Sequence, residues 1–322
     1  MQAWYKGAIW LWLLAPFSAL FALISGGRRA LFAWGLKAQH KTPVPVIVVG
    51  NLTVGGNGKT PVVVWLVEWL REQGYHPGVI SRGYGGKSAH YPLLLTPETQ
   101  AEQAGDEPVL IYRRTGCPVV VGPKRAEAAA LLASVGADII VSDDGLQHYA
   151  LARDIELVVV DGKRRFGNGH LLPMGPLREG LWRLNTVDAV INNGGPAQAG
   201  EFLMTLTPGA LTSIDAPPTE PAPCAPQTVH ALAGIGHPPR FFATLEQLGF
   251  VLEQQVALAD HKAVASEQLN HLQSRPLLIT EKDAVKWPGG HANTWYLPVD
   301  AQLPSAFEQM LLTRLKEREN GD

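Results

Sequence analysis

Apolar positions along the chain follow two periods. Short runs of aliphatic residues, Val46–Val49, Gly78–Ser81, Val119–Val121, Ile139–Ser142, Leu157–Val160 and Ala189–Ile191, run into Gly, Ser, Asp or Asn and predict buried strands. Between several of them apolar positions recur at helical spacing, over Pro61–Gln73, Asp106–Arg114 and Lys124–Val135. Such alternation predicts an α/β fold, a mostly parallel sheet with helices on both faces, with ligands beyond the carboxyl ends of the strands. The run APPTEPAPCAP at 216–226 is too proline-rich for regular structure and reads as a linker. Beyond it alternation resumes, with strands His230–Ala233, Val251–Val256, Leu277–Ile279 and Trp295–Leu297. Helices are expected around Pro239–Leu248, near Ser266–Gln273 and over Ser305–Arg318. The expected organisation is an N-terminal hydrophobic helix within 1–40, a first α/β domain over 41–215, a linker over 216–227 and a smaller α/β domain over 228–322 closing over the site.

The N-terminus breaks this pattern. Between Lys6 and Arg28 lie 21 residues without a charge, against the roughly 20 apolar residues a helix needs to cross a bilayer. Trp4, Tyr5, Trp10 and Trp12 crowd one end as interfacial aromatics do, and Pro16 interrupts the middle. No A-x-A cleavage pattern follows, which argues against a removed signal peptide. Arg28, Arg29, Lys37 and Lys41 come next and keep the downstream chain on the cytoplasmic side. A single span and a helix lying in the interface both fit; the alternative is a core helix of a soluble domain.

Candidate chemistry begins at VIVVGNLTVGGNGKT, Val46 to Thr60: strand, glycine-rich turn, Lys-Thr, then helix. This is the layout of a phosphate-binding loop, in which glycines at 55, 56 and 58 let backbone N–H groups form an anion nest and the helix N-terminus adds its positive end. Lys59 would reach the β- and γ-phosphates and the Thr60 hydroxyl would hold Mg²⁺. The G-x-x-x-x-G-K-[ST] pattern asks for glycine where Thr53 stands, and a glycine-rich turn capping a helix is the alternative. The nucleotide reading assigns Thr53, Val54, Gly55, Gly56, Asn57, Gly58, Lys59 and Thr60 to phosphate binding.

Further along, ISRGYGGK (Ile80 to Lys87) offers Arg82 and Lys87 among three glycines after a strand. Asp106 and Glu107 stand where a helix begins, a place acids also take as ordinary dipole partners. An apolar strand ends in Asp143-Asp144, which together with the phosphate loop has the form of a Walker B acid that helps hold Mg²⁺. Arg164, Arg165, Arg178 and Glu179 flank a Gly/Pro-rich loop, GNGHLLPMGPLRE, able to close over substrate or nucleotide. Asp260-His261 and Thr280-Glu281-Lys282-Asp283 each follow a strand.

Taken in order, GNLTVGGNGKTP, SRGYGGK, AGDEPVLIYRR, DDGLQH, FGNGHLLPMGPLRE, ALAGIGHPPRF, ADHK and TEKDAVK resemble the tetraacyldisaccharide 4′-kinase family of lipid A biosynthesis, from the hydrophobic N-terminus to about Trp287. That family carries Ser or Thr at the position of Thr53. The resemblance implies transfer of the ATP γ-phosphoryl group to the 4′-hydroxyl of a lipid disaccharide 1-phosphate, forming lipid IVA at the cytoplasmic face of the inner membrane. Residue by residue, it implies that Lys59 and the glycines cradle phosphate, that Thr60, Asp143 and its neighbour Asp144 serve Mg²⁺, and that Asp106 with His261 accepts the sugar hydroxyl's proton. Arg82, Lys87 and Arg178 are candidates for the 1-phosphate or γ-phosphate, since arginine suits bidentate phosphate contacts.

Composition narrows the partners. A net charge of −2 and a pI of about 6.6 argue against a nucleic-acid protein. Cys117 and Cys224, the chain's two cysteines, have no C-x-x-C partner and suit a reducing compartment. The expected partners are ATP, Mg²⁺, the lipid substrate and the bilayer, with no protein partner implied. Two rival readings are a membrane-attached P-loop GTPase switch, for which TEKD would have to stand in for N-K-x-D, and a soluble P-loop small-molecule kinase.

Overall fold

The structure is a computed structural model describing residues 2–215, 218, 220–258, 269, 271–289, 291 and 293–319. The strands among these form two sheets. The N-terminus contributes α1 (Gln2–Lys6), a 3₁₀ helix (Ile9–Leu14) and α2 (Ala15–Ala33). The chain then runs through β1 (Val46–Gly50), α3 (Lys59–Glu72), β2 (Pro77–Ser81), β3 (Leu93–Leu94), α4 (Ala101–Ala104), α5 (Asp106–Thr115), β4 (Val119–Val121), α6 (Arg125–Ser134), β5 (Ile139–Asp143), β6 (Ile155–Asp161), β7 (Ala189–Asn193), β8 (Glu201–Pro208) and β9 (Thr212–Ser213). There follow β10 (Thr228–Ala233), α7 (Pro238–Gln247), β11 (Val251–Ala257), β12 (Leu277–Thr280), α8 (Glu281–Ala284), β13 (Thr294–Leu297), β14 (Val299–Gln302) and α9 (Ser305–Glu319).

The larger sheet has the order β14-β8-β7-β6-β1-β5-β2-β4-β3 and is parallel except at its two edges, β14 on β8 and β3 on β4. Strands buried on both faces explain why β1, β2, β4 and β5 read as unbroken apolar runs rather than alternating ones. Helix α3 covers one face through Val62, Val63, Leu66, Val67 and Leu70, all buried, and α6 covers the other through Ala128, Ala129 and Leu132. The smaller sheet runs β11-β10-β12-β13-β9, parallel but for the β9 edge.

The division expected at 216–227 does not separate the two sheets cleanly. Strand β9 precedes the proline-rich run yet pairs with β13, and β14 returns to pair with β8. Helix α9 follows it, setting Phe307, Leu311 and Leu315 into the core of the larger sheet, with Phe307 against Trp65 and Phe202. The cause is β8. Its alternating run Glu201–Pro208 left an edge open, and the distant segment 299–302 caps it.

Pro16 opens α2 rather than breaking it, in the first turn where its missing N–H costs no hydrogen bond. Within the apolar stretch Ile9–Ala33 only Leu11 and Phe32 are buried, so the core-helix alternative fails. One side, with Leu11 and Phe32, packs down; Ile9, Trp10, Trp12, Leu13, Phe17, Leu20, Leu23 and Ile24 are exposed. Trp4 Nε1 donates to the Pro173 carbonyl at 3.1 Å, Ser18 Oγ donates to the Leu171 carbonyl at 2.9 Å, and Trp12 stands edge-on to His170 at 5.6 Å. The apolar segment therefore lies along the loop at 170–173 instead of projecting from the fold.

Candidate active site

β1 delivers the chain to the carboxyl edge of the larger sheet, and the turn after it is held from outside. The Asn57 carbonyl accepts from Asn193 Nδ2 at 2.9 Å, the Gly56 carbonyl accepts from Arg164, and Asp161 pairs with Arg164 at 2.9 Å. Val54 N–H is bound to the Pro176 carbonyl at 2.9 Å. No hydrogen bond among the described residues takes the N–H groups of Gly55 to Gly58, which leaves them free for an anion. Gly58 caps α3 at φ +85°, and a Cβ there would lie 2.1 Å from Asn193 Nδ2, so glycine is required on both counts. The departure at Thr53 has a structural reason: its hydroxyl accepts from Asn57 Nδ2 at 2.8 Å and so braces the loop from within.

β5 lies beside β1 with Asp143 opposite Val49, which carries the paired aspartates to the same edge. Lys59 Nζ stands 3.4 Å from Asp144 Oδ1, and Arg178 lies 3.1 Å from the same carboxylate. Burial pushes Asp144 up, but Lys59 and Arg178 outweigh it and hold the carboxyl at about 2. Asp143 behaves oppositely. Burial, followed by the nearby Glu107 charge, lifts it to about 7. One of its oxygens accepts from Ser81 Oγ at 3.1 Å, while Oδ1 is buried without a partner. The fully buried Arg125 pins the strand ends, donating to the carbonyls of Ile80 at 2.7 Å and Asp143 at 2.8 Å. Burial lowers this guanidinium to about 10.

The loop bearing Arg82 and Lys87 packs on the start of α5. Gly105 at φ +89° meets the Tyr84 carbonyl, and a Cβ there would come within 2.6 Å of it. Arg82 and Lys87 are exposed, the Lys87 N–H donating to the Glu102 carbonyl at 2.8 Å, and Asp106 at the start of α5 is buried at 5% exposure. Arg178 is drawn instead to Asp144, and Gln147 Nε2 donates to Glu179 at 3.1 Å beside it.

From the second sheet comes a group that sequence reasoning missed. Lys286 Nζ lies 3.7 Å from Asp106 Oδ2 and 3.4 Å from Asp283 Oδ1. The only hint was the closing lysine of TEKDAVK, one helical turn after Asp283. His261, expected beside Asp106, lies outside the described residues. Asn193 and Arg240, which donates to Asn193 Oδ1 at 3.0 Å, were likewise not foreseen. The GTPase rival loses its one foothold here. Asp283 is fully buried, its Oδ2 accepting from Gly234 N–H at 2.8 Å and from the Thr280 hydroxyl at 2.6 Å, so it has no reach to a guanine. Between the phosphate loop and the second sheet opens a cleft of about 700 Å³, lined by Lys59, Asp161, Arg240, Phe241, Thr244 and Lys282 among others. A mononucleotide fits such a space.

The chain matches the family model described as tetraacyldisaccharide-1-P 4′-kinase over residues 10–316. It is 58% identical over 319 residues to the tetraacyldisaccharide 4′-kinase of Aeromonas salmonicida, covering 98% of this chain and 96% of that one. To the protein of the same name from Tolumonas auensis it is 56% identical, covering 99% and 98%. Among solved structures it superposes on an "apo" form of LpxK from Aquifex aeolicus in complex with ATP, with a TM-score of 0.78, 28% identity and coverage of 94% and 99%.

Proposed function

The chain belongs to the tetraacyldisaccharide-1-P 4′-kinase family and is a kinase of lipid A biosynthesis, and on that premise we propose how its own residues move the γ-phosphoryl group of ATP to the 4′-hydroxyl of a tetraacyldisaccharide 1-phosphate. The observation that carries the reading is the phosphate loop, whose carbonyls at Gly56 and Asn57 are engaged by Arg164 and Asn193 while its N–H groups and Lys59 border the cleft. ATP enters that cleft with its phosphates on Gly55 to Thr60, and the similar Aquifex aeolicus protein is itself in complex with ATP. Lys59 offsets charge at the β- and γ-phosphates.

The residues also suit Mg²⁺. Asp143 presents a buried oxygen without a partner beside Asp144, and Thr60 offers a hydroxyl at the start of α3. Two acids and a hydroxyl match an ion that takes most of its remaining ligands from phosphate and water. When bound, the ion would neutralise charge on the phosphates during transfer. Asp106, with His261, takes the proton from the 4′-hydroxyl; Arg82, Lys87 and Arg178 receive the lipid's 1-phosphate or steady the γ-phosphate.

The apolar N-terminal segment lies in the interface of the inner membrane, with the catalytic part at the cytoplasmic face. Its contacts from Trp4 to Phe32 run along the protein, which a spanning helix could not keep. Phe32 meets Tyr149 at 6.1 Å and Arg29 sits over the Trp182 ring at 3.6 Å, so the helix end adjoins the loops that carry Gln147 and Arg178. A lipid held in the bilayer would thus meet the site without leaving the membrane. The test is incubation with γ-labelled ATP and purified lipid disaccharide 1-phosphate in mixed micelles. Label is expected on the lipid; ATP binding without any transfer to the lipid would overturn the reading.

A further inference from the structure

Among the described residues, α5 meets α8 and the turn after it, across the two sheets, through three ion pairs. Arg114 meets Glu281 at 2.9 Å, Lys282 meets Glu107 at 3.1 Å, and Lys286, just past α8, meets Asp106 at 3.7 Å. The first two are partly exposed ties of ordinary kind. The third differs in burial, since the side chains of Lys286 and Asp106 are each only 8% exposed.

Behind Lys286 stands Asp283, with no exposed surface at all. Its Oδ2 is fixed by the Gly234 N–H and the Thr280 hydroxyl, and its Oδ1 looks at the ammonium from 3.4 Å. A Cβ at Gly234 would come within 2.7 Å of that oxygen, so the strand end is shaped around the carboxylate. Lys286 Nζ itself is buried and has no hydrogen-bond acceptor among the described residues. A buried ammonium between two carboxylates, its hydrogen bonds unused, is poor value as a stabilising device, because a hydrophobic trio of the same volume would serve at least as well. Such an arrangement calls for a different explanation.

The geometry points to Lys286 as the positioning residue of the phosphoryl transfer: anchored by Asp283, it carries a positive charge from the second sheet to Asp106 and keeps that carboxylate ionised and aimed when the cleft closes. The inference rests on the reading of Asp106 as the base. A base must be ionised to accept a proton, and a cation at this range favours the ionised form. Among the described residues, the charges linked to this pair include Glu107, next to Asp106 on its own helix and held by Lys282, and Asp283, which faces Lys286. Because α8 belongs to the second sheet, the charge reaches Asp106 only when the two sheets are together, which ties deprotonation of the sugar to closure.

The experiment compares full-length wild type, Lys286→Met, the double variant Asp283→Asn/Lys286→Met, Asp106→Asn, and Asp106→Asn/Lys286→Met, with kcat and KM followed from pH 5 to pH 9. The Asp283→Asn/Lys286→Met protein removes the ammonium together with the fully buried carboxylate behind it, so Asp283 is not left as an unpaired buried charge. Both Lys286 variants are expected to lose roughly 10–100-fold in kcat, to move the acid limb of the profile up by about one pH unit, and to keep KM for ATP within about twofold, as neither residue touches the phosphate loop. In the Asp106→Asn background Lys286→Met should cost almost nothing more. An unmoved acid limb, or an equal loss with and without Asp106, would overturn the proposal while leaving Asp106 as base. A wild-type rate in Asp106→Asn would instead remove the base assignment on which it rests.

Discussion

Thr53 and Asn57 are joined inside the phosphate loop, the threonine hydroxyl accepting a hydrogen bond from the asparagine amide at 2.8 Å. Both side chains are buried, so the bond spans the turn without solvent to replace it. This is why a threonine serves where the general pattern has glycine. Thr53→Val keeps the shape and removes the acceptor, leaving Asn57 Nδ2 only a long contact to the Val159 carbonyl at 3.4 Å. The variant should unfold with about 1–3 kcal/mol less stability and show a raised KM for ATP, whereas Thr53→Ser should hold both. Denaturant unfolding and ATP titration check it; a normal KM in the valine variant would mean the brace does not shape the loop.

At the end of the same loop, Gly58 and Lys59 fail for different reasons when replaced. Gly58→Ala places a methyl 2.1 Å from Asn193 Nδ2 in a left-handed backbone, so the loop must shift and ATP binding should fall together with stability. Lys59→Ala creates no core cavity, and removes one partner from Asp144 while Arg178 remains at 3.1 Å. It should fold with a Tm close to wild type and lose turnover by at least about 10³-fold, as expected when a charge on the transferring phosphates is removed. Full activity in Lys59→Ala would dismiss the phosphate-loop assignment.

How much of this could be read from the sequence depends on how local each feature is. The strand, loop and helix from Val46 to Glu72 follow from adjacent residues: the strand starts at Val46 as expected, and the other bounds differ by one or two residues. Asp143 was legible because a buried strand leads straight into it. Strand β8 was not: Glu201–Pro208 mixes exposed and buried positions, and its edge partner arrives only with Val299–Gln302. The same holds for the site. Asp106 and Lys286 meet through two helices on different sheets, and no local period announces such a pair. Asp283 drew attention for its place in TEKD, yet its buried bonds to Gly234 and Thr280 give it a structural task.

The apolar N-terminal segment has two faces that mutation can separate. Ile9, Leu13 and Phe17 are 85%, 78% and 62% exposed, while Trp4 and Ser18 bond to the loop at 171–173. Replacing Leu13 and Phe17 by Asp removes apolar surface that would enter lipid, at about 1.5–3 kcal/mol for each side chain. Binding to phospholipid vesicles should fall by roughly tenfold or more per position, with kcat on micellar substrate little changed. Trp4→Phe should keep vesicle binding. Removing residues 1–27 should shift the protein to the soluble fraction and weaken activity on lipid in bilayers. Co-sedimentation with vesicles reads all three, and equal binding of the Leu13/Phe17 double variant and wild type would place the membrane contact elsewhere.

Glu201 gives a pH dependence free of the catalytic groups. Its carboxylate takes both terminal nitrogens of Arg165, at 2.5 and 2.9 Å, with Asn192 Nδ2 and the Gln198 N–H each at 2.9 Å. Arg165 holds φ +48°, a left-handed conformation that side-chain-bearing residues seldom adopt, so the pair also fixes a bend after β6. Burial pushes the carboxyl up, but Arg165, the Gln198 N–H and Asn192 outweigh it and hold it at about 2, against 4.5 for a free side chain. Between those values the unfolded chain binds the proton first, so stability from this group is complete above pH 4.5 and drains away as pH falls towards 2. Glu201→Gln should therefore be less stable than wild type by about 1.5–3 kcal/mol at pH 7. The gap should be the same at pH 6 and clearly narrower at pH 3, because acid removes from the wild type the charge that the variant never had. Denaturant midpoints at the three pH values measure it. A gap as wide at pH 3 as at pH 7 would assign the loss to packing around β8 and not to the Arg165 pair.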